Sequence, residues 1–215
     1  MNTTPKAAND ASVTSLFVSE VYRADLSAIP DFETLLEDLD DTCRAFADED
    51  EAGQNWSQQK AYLGYTSYGS LNDLPLLASV FEDLKTHLDA HAARFAEALE
   101  YDLPDGALKL DNMWINILEP MGTHSGHIHP HSLISGTFYV HVPDGASALK
   151  FEDPRLTSFM NAPPRKAGAR RDHQAFVYEA PQPGTLLMWE SWLRHEVPIN
   201  LSEDVRISIS FNYSW

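Results

Sequence analysis

The sequence predicts a mainly β fold: an antiparallel sandwich or barrel with two helices packed outside it. Three observations point that way. From residue 109 onward at least six runs (109–118, 133–142, 148–151, 175–178, 185–189 and 205–213) show alternation or β-branched and aromatic enrichment. Glycine and proline punctuate these runs, and no helical period intervenes between them. Before residue 106 the period is helical instead, with two apolar stripes long enough to cover one face of a sheet.

Taken in order, residues 1–12 are small and polar and read as a frayed terminus. Ser15 to Leu26 reads as a strand with an irregular continuation. Pro30-Asp31 opens a helix on which Phe32, Leu35, Leu36, Leu39, Cys43 and Phe46 form one apolar stripe, and Gly53 ends it. Cys43 lies on that stripe, which makes it a buried structural thiol rather than a nucleophile. The run Asp48-Glu49-Asp50-Glu51 reads as solvated. Residues 54–72, with Tyr62, Tyr65 and Tyr68, have no clear period and form a long loop that either lines a site or covers the core.

A second helix begins near Asp73-Leu74-Pro75, with Asp73 as N-cap and Leu77, Val80, Phe81, Leu84, Leu88, His91, Phe95 and Leu99 as its buried face. His87 and His91 share the i, i+4 spacing of metal ligands but lack a third ligand nearby, so a structural role is expected. On the strand Lys109 to Leu118, Met113, Ile115 and Ile117 take one face and Asn112, Trp114, Asn116 and Leu118 the other. Residues 152–174 form a long connection with Arg155, Arg165, Lys166, Arg170 and Arg171, either a lid or a solvated loop. The expected organisation is a single domain over 1–215. Within it, 1–106 is a strand plus helical support and 107–215 is the β core.

Composition narrows the function classes. The chain has 215 residues, 43% hydrophobic and 22% charged, which suits one globular core. A single cysteine excludes a disulfide framework and a cysteine-based metal cluster, and fits a cytoplasmic protein. No apolar run or basic-then-apolar leader suggests a membrane partner. Net charge is −17, with residues 1–105 holding 21 of 32 acidic and 6 of 15 basic groups, so no nucleic-acid partner is expected. Exposed sheet edges make a homodimer reasonable.

The chemistry concentrates in Thr123-His124-Ser125-Gly126-His127-Ile128-His129-Pro130-His131, which holds four of the nine histidines. On a strand His127 and His129 project from one face, about 7 Å apart along the backbone, and can share a first-row metal ion. His195, at the end of a later β-run, is the best third ligand. Eleven residues beyond it, Arg206 and Ser208 face the same way on the last strand, a pair suited to gripping a carboxylate.

Several segments together carry a family likeness. They are Asn112-Met113-Trp114-Ile115-Asn116, His127-Ile128-His129-Pro130, Ser135-Gly136-Thr137-Phe138-Tyr139-Val140, Phe151-Glu152-Asp153-Pro154-Arg155, Pro183-Gly184-Thr185-Leu186, Ser191-Trp192-Leu193-Arg194-His195 and Arg206-Ile207-Ser208-Ile209-Ser210-Phe211-Asn212. In this ordered combination the chain resembles the Fe(II)- and 2-oxoglutarate-dependent oxygenases, within them a bacterial and phage-associated branch. The resemblance covers residues 110–213. It implies a double-stranded β-helix (jelly-roll, cupin-like) core with Fe(II), 2-oxoglutarate and O₂ as cofactors. It also implies oxidative decarboxylation of 2-oxoglutarate coupled to C–H oxidation of a small-molecule or peptidyl substrate.

Carried over by position, the resemblance makes His127 and His195 the first and last metal ligands. Arg206 and Ser208 would hold the distal carboxylate of 2-oxoglutarate, Tyr139 would reach that co-substrate, and Trp114 and Asn116 would line the pocket. His129 stands where the superfamily has Asp or Glu. Either all three histidines bind the metal, or Glu152 or Asp153 supplies a carboxylate. Two rival readings remain: a cupin-like metalloenzyme without 2-oxoglutarate, for which Arg206 is dispensable, and a non-catalytic binding module, which would bind no iron tightly.

Overall fold

The computed structural model describes residues 12–215; the expected frayed terminus lies almost wholly outside the described residues. In chain order the elements are β1 (Val21–Asp25), α1 (Phe32–Glu49), α2 (Glu51–Gln59), β2 (Gly64–Thr66), α3 (Ser79–Ala98), β3 (Lys109–Leu118), β4 (His124–His127), β5 (Ile134–His141), β6 (Leu149–Glu152), β7 (Phe176–Glu179), β8 (Thr185–Glu190), β9 (His195–Val197) and β10 (Arg206–Ser214). Three single 3₁₀ turns complete the list, at Leu74–Leu76, Leu156–Ser158 and Arg171–His173.

Two sheets face each other. The larger runs β1-β8-β5-β10-β3-β2 and the smaller β4-β9-β6-β7. Every named strand pair is antiparallel. This is the double-stranded β-helix architecture, mainly β with flanking helices. Strands from both halves of the sequence interlock, since β1 pairs with β8 and β2 with β3.

The alternation of β10 explains both layers. Ile207, Ile209 and Phe211 point outward and join Met113, Ile115 and Ile117 of β3 beneath α1 and α3, in a core with Phe81, Leu84, Leu88 and Leu39. The opposite, polar face of β10 turns inward, between the sheets. There a smaller apolar cluster (Leu118, Tyr139, Leu149, Phe151, Leu187, Trp189, Leu193, Val197) surrounds polar side chains. Three tyrosine hydroxyls fasten the strands and connections to the rest. Tyr213 donates to Asp89 at 2.6 Å, Tyr101 to Glu190 at 2.6 Å, and Tyr22 bonds His91 Nδ1 at 2.7 Å. His91 is thus structural, as its isolation from other ligands predicts.

The first half departs from expectation in several places. The strand expected over 15–26 is confined to β1, and Leu16, Phe17 and Val18 are exposed. Three helices form rather than two. Gly53 does not end a helix but lies inside α2, where Asp50 caps the start by accepting from Gly53 N–H at 3.0 Å. Asp50 also accepts from Tyr65 Oη at 2.9 Å and from Ser70 Oγ, so it is not the solvated charge its run suggests. The stretch 54–72, expected as loop, is therefore part helix and part β2. At 73–78 a 3₁₀ turn precedes α3, Asp73 makes no side-chain cap, and Leu77 is 49% exposed. Proline in the tight turn and the later start of α3 shift the buried face past Leu77. Cys43 is fully buried, and burial pushes its thiol well above the ordinary range. Among the described residues no helix is long and apolar enough to cross a membrane.

Candidate metal centre

His127 and His195 meet because β4 and β9 pair with these two residues as direct partners. Opposed residues of an antiparallel pair share a face, which brings the two rings to 4.4 Å between centroids. His129 lies just past β4, held by its backbone N–H donating to Ser191 O at 2.9 Å. One ring nitrogen from each of His127, His129 and His195 lies within 4.8 Å of the others.

The hydrogen bonds settle which nitrogens face inward. His127 Nδ1 lies 2.7 Å from Ser125 O and His195 Nδ1 2.9 Å from Leu193 O. A carbonyl only accepts, so both Nδ1 atoms carry the proton and both Nε2 atoms present a lone pair. His129 Nδ1 lies 2.6 Å from Asn212 Oδ1. That oxygen is identified from the far end of the amide: Asn112 Nδ2 donates to the Asp111 carboxylate at 3.3 Å, so Asn112 Oδ1 accepts from Asn212 Nδ2 at 2.8 Å, and Asn212 Oδ1 is left facing His129 and Ser135 Oγ. So His129 Nε2 also presents a lone pair, 3.1 Å from His127 Nε2.

Two lone pairs that close repel unless a cation lies between them. A proton is disfavoured: burial holds His129 down to about 4 and His195 down to about 2, and lowers His127 as well. Neighbouring ligands on a first-row ion with bonds of about 2.1 Å stand about 3 Å apart, which fits the observed separation. The donor set therefore fits a divalent metal. Glu152 and Asp153, the alternative carboxylates, are engaged elsewhere: Glu152 with Arg194 at 3.6 Å and Asp153 with Arg155 at 2.8 Å.

Beside the histidines the inner face of β10 presents Arg206, Ser208 and Ser210, opposite Leu118, Asn116 and Trp114 of β3. Arg206 is only 3% exposed and has no carboxylate partner among the described residues; its guanidinium reaches Ser208 Oγ at 3.5 Å, and its Nε has no acceptor there. A buried guanidinium without a counter-ion is costly unless a ligand supplies one. Tyr139 lies under it, 4.8 Å from ring centre to guanidinium, with its hydroxyl unpartnered. It is fully buried, packed against the Arg206 guanidinium. Asn116 is held by Thr66 Oγ1 at 2.9 Å and Ser210 Oγ at 3.0 Å, and Trp114 packs on the His129 ring at 5.9 Å. The space these groups enclose is about 40 Å³.

His124 and Tyr62 are among the lining residues that the sequence did not single out. His124 stacks on His127 at 4.6 Å, and burial and its histidine neighbours hold it down to about 3. Strict alternation puts residues 124 and 127 on opposite faces; an irregularity between them in the β4–β9 register turns both inward. Tyr62, edge-on to His124 at 5.6 Å, answers the question left open for 54–72. It lines the site, reaching it from the turn after α2. The arginines of 152–174 border a separate cleft of about 520 Å³, where Arg155 pairs with Asp153, Arg170 with Asp172 and Arg171 with Glu179.

Residues 112–212 match the profile of a family described as "Putative 2OG-Fe(II) oxygenase". No curated protein matches the chain in sequence. Among solved structures it resembles the non-haem alpha ketoglutarate dependent epimerase SnoN from nogalamycin biosynthesis, with a TM-score of 0.62, 13% identity, and 91% of this chain and 76% of that one covered. It also resembles a Pseudomonas putida prolyl-4-hydroxylase (TM-score 0.60, 15% identity, 92% and 94% covered). A third is HygX from Streptomyces hygroscopicus with nickel and 2-oxoglutarate bound (0.58, 12%, 92% and 83%).

Proposed function

We propose that this chain, whose residues 112–212 match the 2OG-Fe(II) oxygenase profile, is such an oxygenase and couples oxidative decarboxylation of 2-oxoglutarate to oxidation of a C–H bond. The observation that carries the reading is the convergence of three inward lone pairs beside a buried arginine with no counter-ion. When bound, ferrous iron supplies the activation of O₂ that attack on a C–H bond requires, with succinate and carbon dioxide as co-products.

The protein's own part is to bind, orient and exclude water. His127, His129 and His195 hold the metal, each fixed in one tautomer by its Nδ1–H bond. Arg206, with Ser208 beside it, takes the distal carboxylate of 2-oxoglutarate, and Tyr139 braces the guanidinium from below. Trp114 and Asn116 form the wall on the β3 side. The enclosed space is small, about 40 Å³, and the half-buried Tyr62 forms part of its wall. That small volume also favours a second reading, a cupin-like metalloenzyme without 2-oxoglutarate. A cytoplasmic location accords with the lone reduced thiol of Cys43.

Anaerobic addition of Fe(II) and 2-oxoglutarate should produce a weak visible metal-to-ligand band. The band should disappear in Arg206→Ala and in His129→Ala. Bound iron with no band in the wild type would favour the cupin-like alternative. Survival of the band in His129→Ala would remove that histidine from the ligand set.

A further inference from the structure

Among the described residues no carboxylate lines the metal cavity. None of its lining side chains is Asp or Glu, and the groups that receive the three Nδ1–H bonds, Ser125 O, Asn212 Oδ1 and Leu193 O, are all neutral. The nearby acids are committed outside it: Glu152 faces Arg194 at 3.6 Å, and Glu190 accepts from Tyr101 at 2.6 Å. Each ligand histidine donates from Nδ1 and offers the Nε2 lone pair, so it adds no charge, and a divalent ion and Arg206 bring three positive charges into a space walled by Trp114, Leu118, Leu149, Trp189 and Val197. 2-Oxoglutarate, a dianion, cancels two. One remains, and a low-dielectric wall makes a remaining charge expensive. The same wall carries a donor with no acceptor among the described residues: the indole N–H of Trp189, 3% exposed, on a ring 4.6 Å from that of His195.

We propose that this carboxylate-free cavity takes a monoanion as its third occupant, with the Trp189 indole N–H as its hydrogen-bond donor, and that the primary substrate enters as a singly charged oxyanion such as a carboxylate. The inference rests on the function proposed above, because the count includes the 2-oxoglutarate dianion. His129 is the determinant. A carboxylate at that position would cancel the remaining charge from within the protein, and a neutral imidazole leaves it for the substrate.

The test uses the intact protein loaded anaerobically with Fe(II) and 2-oxoglutarate. Azide, acetate and acetamide are titrated separately and followed by the visible spectrum. Azide and acetate should bind saturably, and acetamide, the neutral isostere, at least tenfold more weakly. His129→Asp should weaken azide at least tenfold while 2-oxoglutarate still binds. Trp189→Phe, which keeps the aromatic wall and removes the donor, should weaken acetate about three- to tenfold. Acetamide binding as well as acetate, or azide affinity unchanged in His129→Asp, overturns the proposal. If His129→Asp takes up no metal, the acetate–acetamide contrast and Trp189→Phe decide. Absence of any 2-oxoglutarate band is a different failure: it rejects the co-substrate reading. The titration with Fe(II) alone then judges the anion preference separately, and failure to bind azide there overturns it too.

Discussion

His195 is neutral because it is buried, and that neutrality couples the metal centre to pH. Its folded pKa is held down to about 2 and that of His129 to about 4, by burial first and by neighbouring histidines as well. In the unfolded chain both would titrate near 6.5. Between those values the unfolded state binds more protons than the folded one, so stability rises with pH across the window and falls as pH drops below about 6.5. Each histidine held neutral contributes up to about 1.4 kcal/mol per pH unit. Urea midpoints of the metal-free protein should therefore fall steeply from pH 7 to pH 5, and His195→Gln should flatten that slope. A slope unchanged in the variant would place the titrating groups elsewhere.

At the level of elements, β5 is the strand that both layers depend on. It lies between β8 and β10 in the centre of the larger sheet, and Gly136 is where Phe211 crosses it. A Cβ there would come within 2.3 Å of the Phe211 ring and 2.7 Å of Leu187 O, so one of its neighbours is backbone. Gly136→Ala should thus destabilise by about 1–3 kcal/mol, read as a lower urea midpoint, despite its higher strand propensity. The helix layer is tied on by both apolar burial and single polar bonds. Leu88→Ala, at a fully buried site on α3, should cost about 2–5 kcal/mol. Tyr213→Phe, which leaves Asp89 partly solvated, should cost only about 1 kcal/mol. The order of these two effects checks whether packing or the polar clamp secures α3 to the sheet.

For the whole molecule, the candidate metal joins β4 to β9, while His129 carries the link through Asn212 to β10 in the opposite sheet. A ligand that binds only this assembled arrangement stabilises the entire fold by mass action. At a hundredfold excess over its dissociation constant the gain is about 2.7 kcal/mol, or roughly 5–11 °C in midpoint for a chain of this size. Differential scanning with Fe(II) or Mn(II) should show that rise in the wild type, and His195→Ala should abolish it. An equal rise in the variant would put the ion at another site.

The sequence by itself determined the strand-rich second half, because a period of two with turn residues at each break is a local signal. It also determined the faces of β3 and β10 and the grouping of His127, His129, His195 and Arg206 as candidate chemistry. The first half was less legible. Asp50 looks like one charge in an acidic run, and only the approach of Tyr65 and Ser70, 15 and 20 residues further on, makes it a half-buried, hydrogen-bonded cap. His124 was hidden for a related reason: the register irregularity that turns it inward depends on how β4 meets β9, not on residues 124–127 alone. Tertiary structure alone decided the tautomers, since each depends on which oxygen lies against a ring nitrogen. It also decided that the centre is carboxylate-free, because charge in a cavity depends on which groups are left out as much as on those the motif supplies.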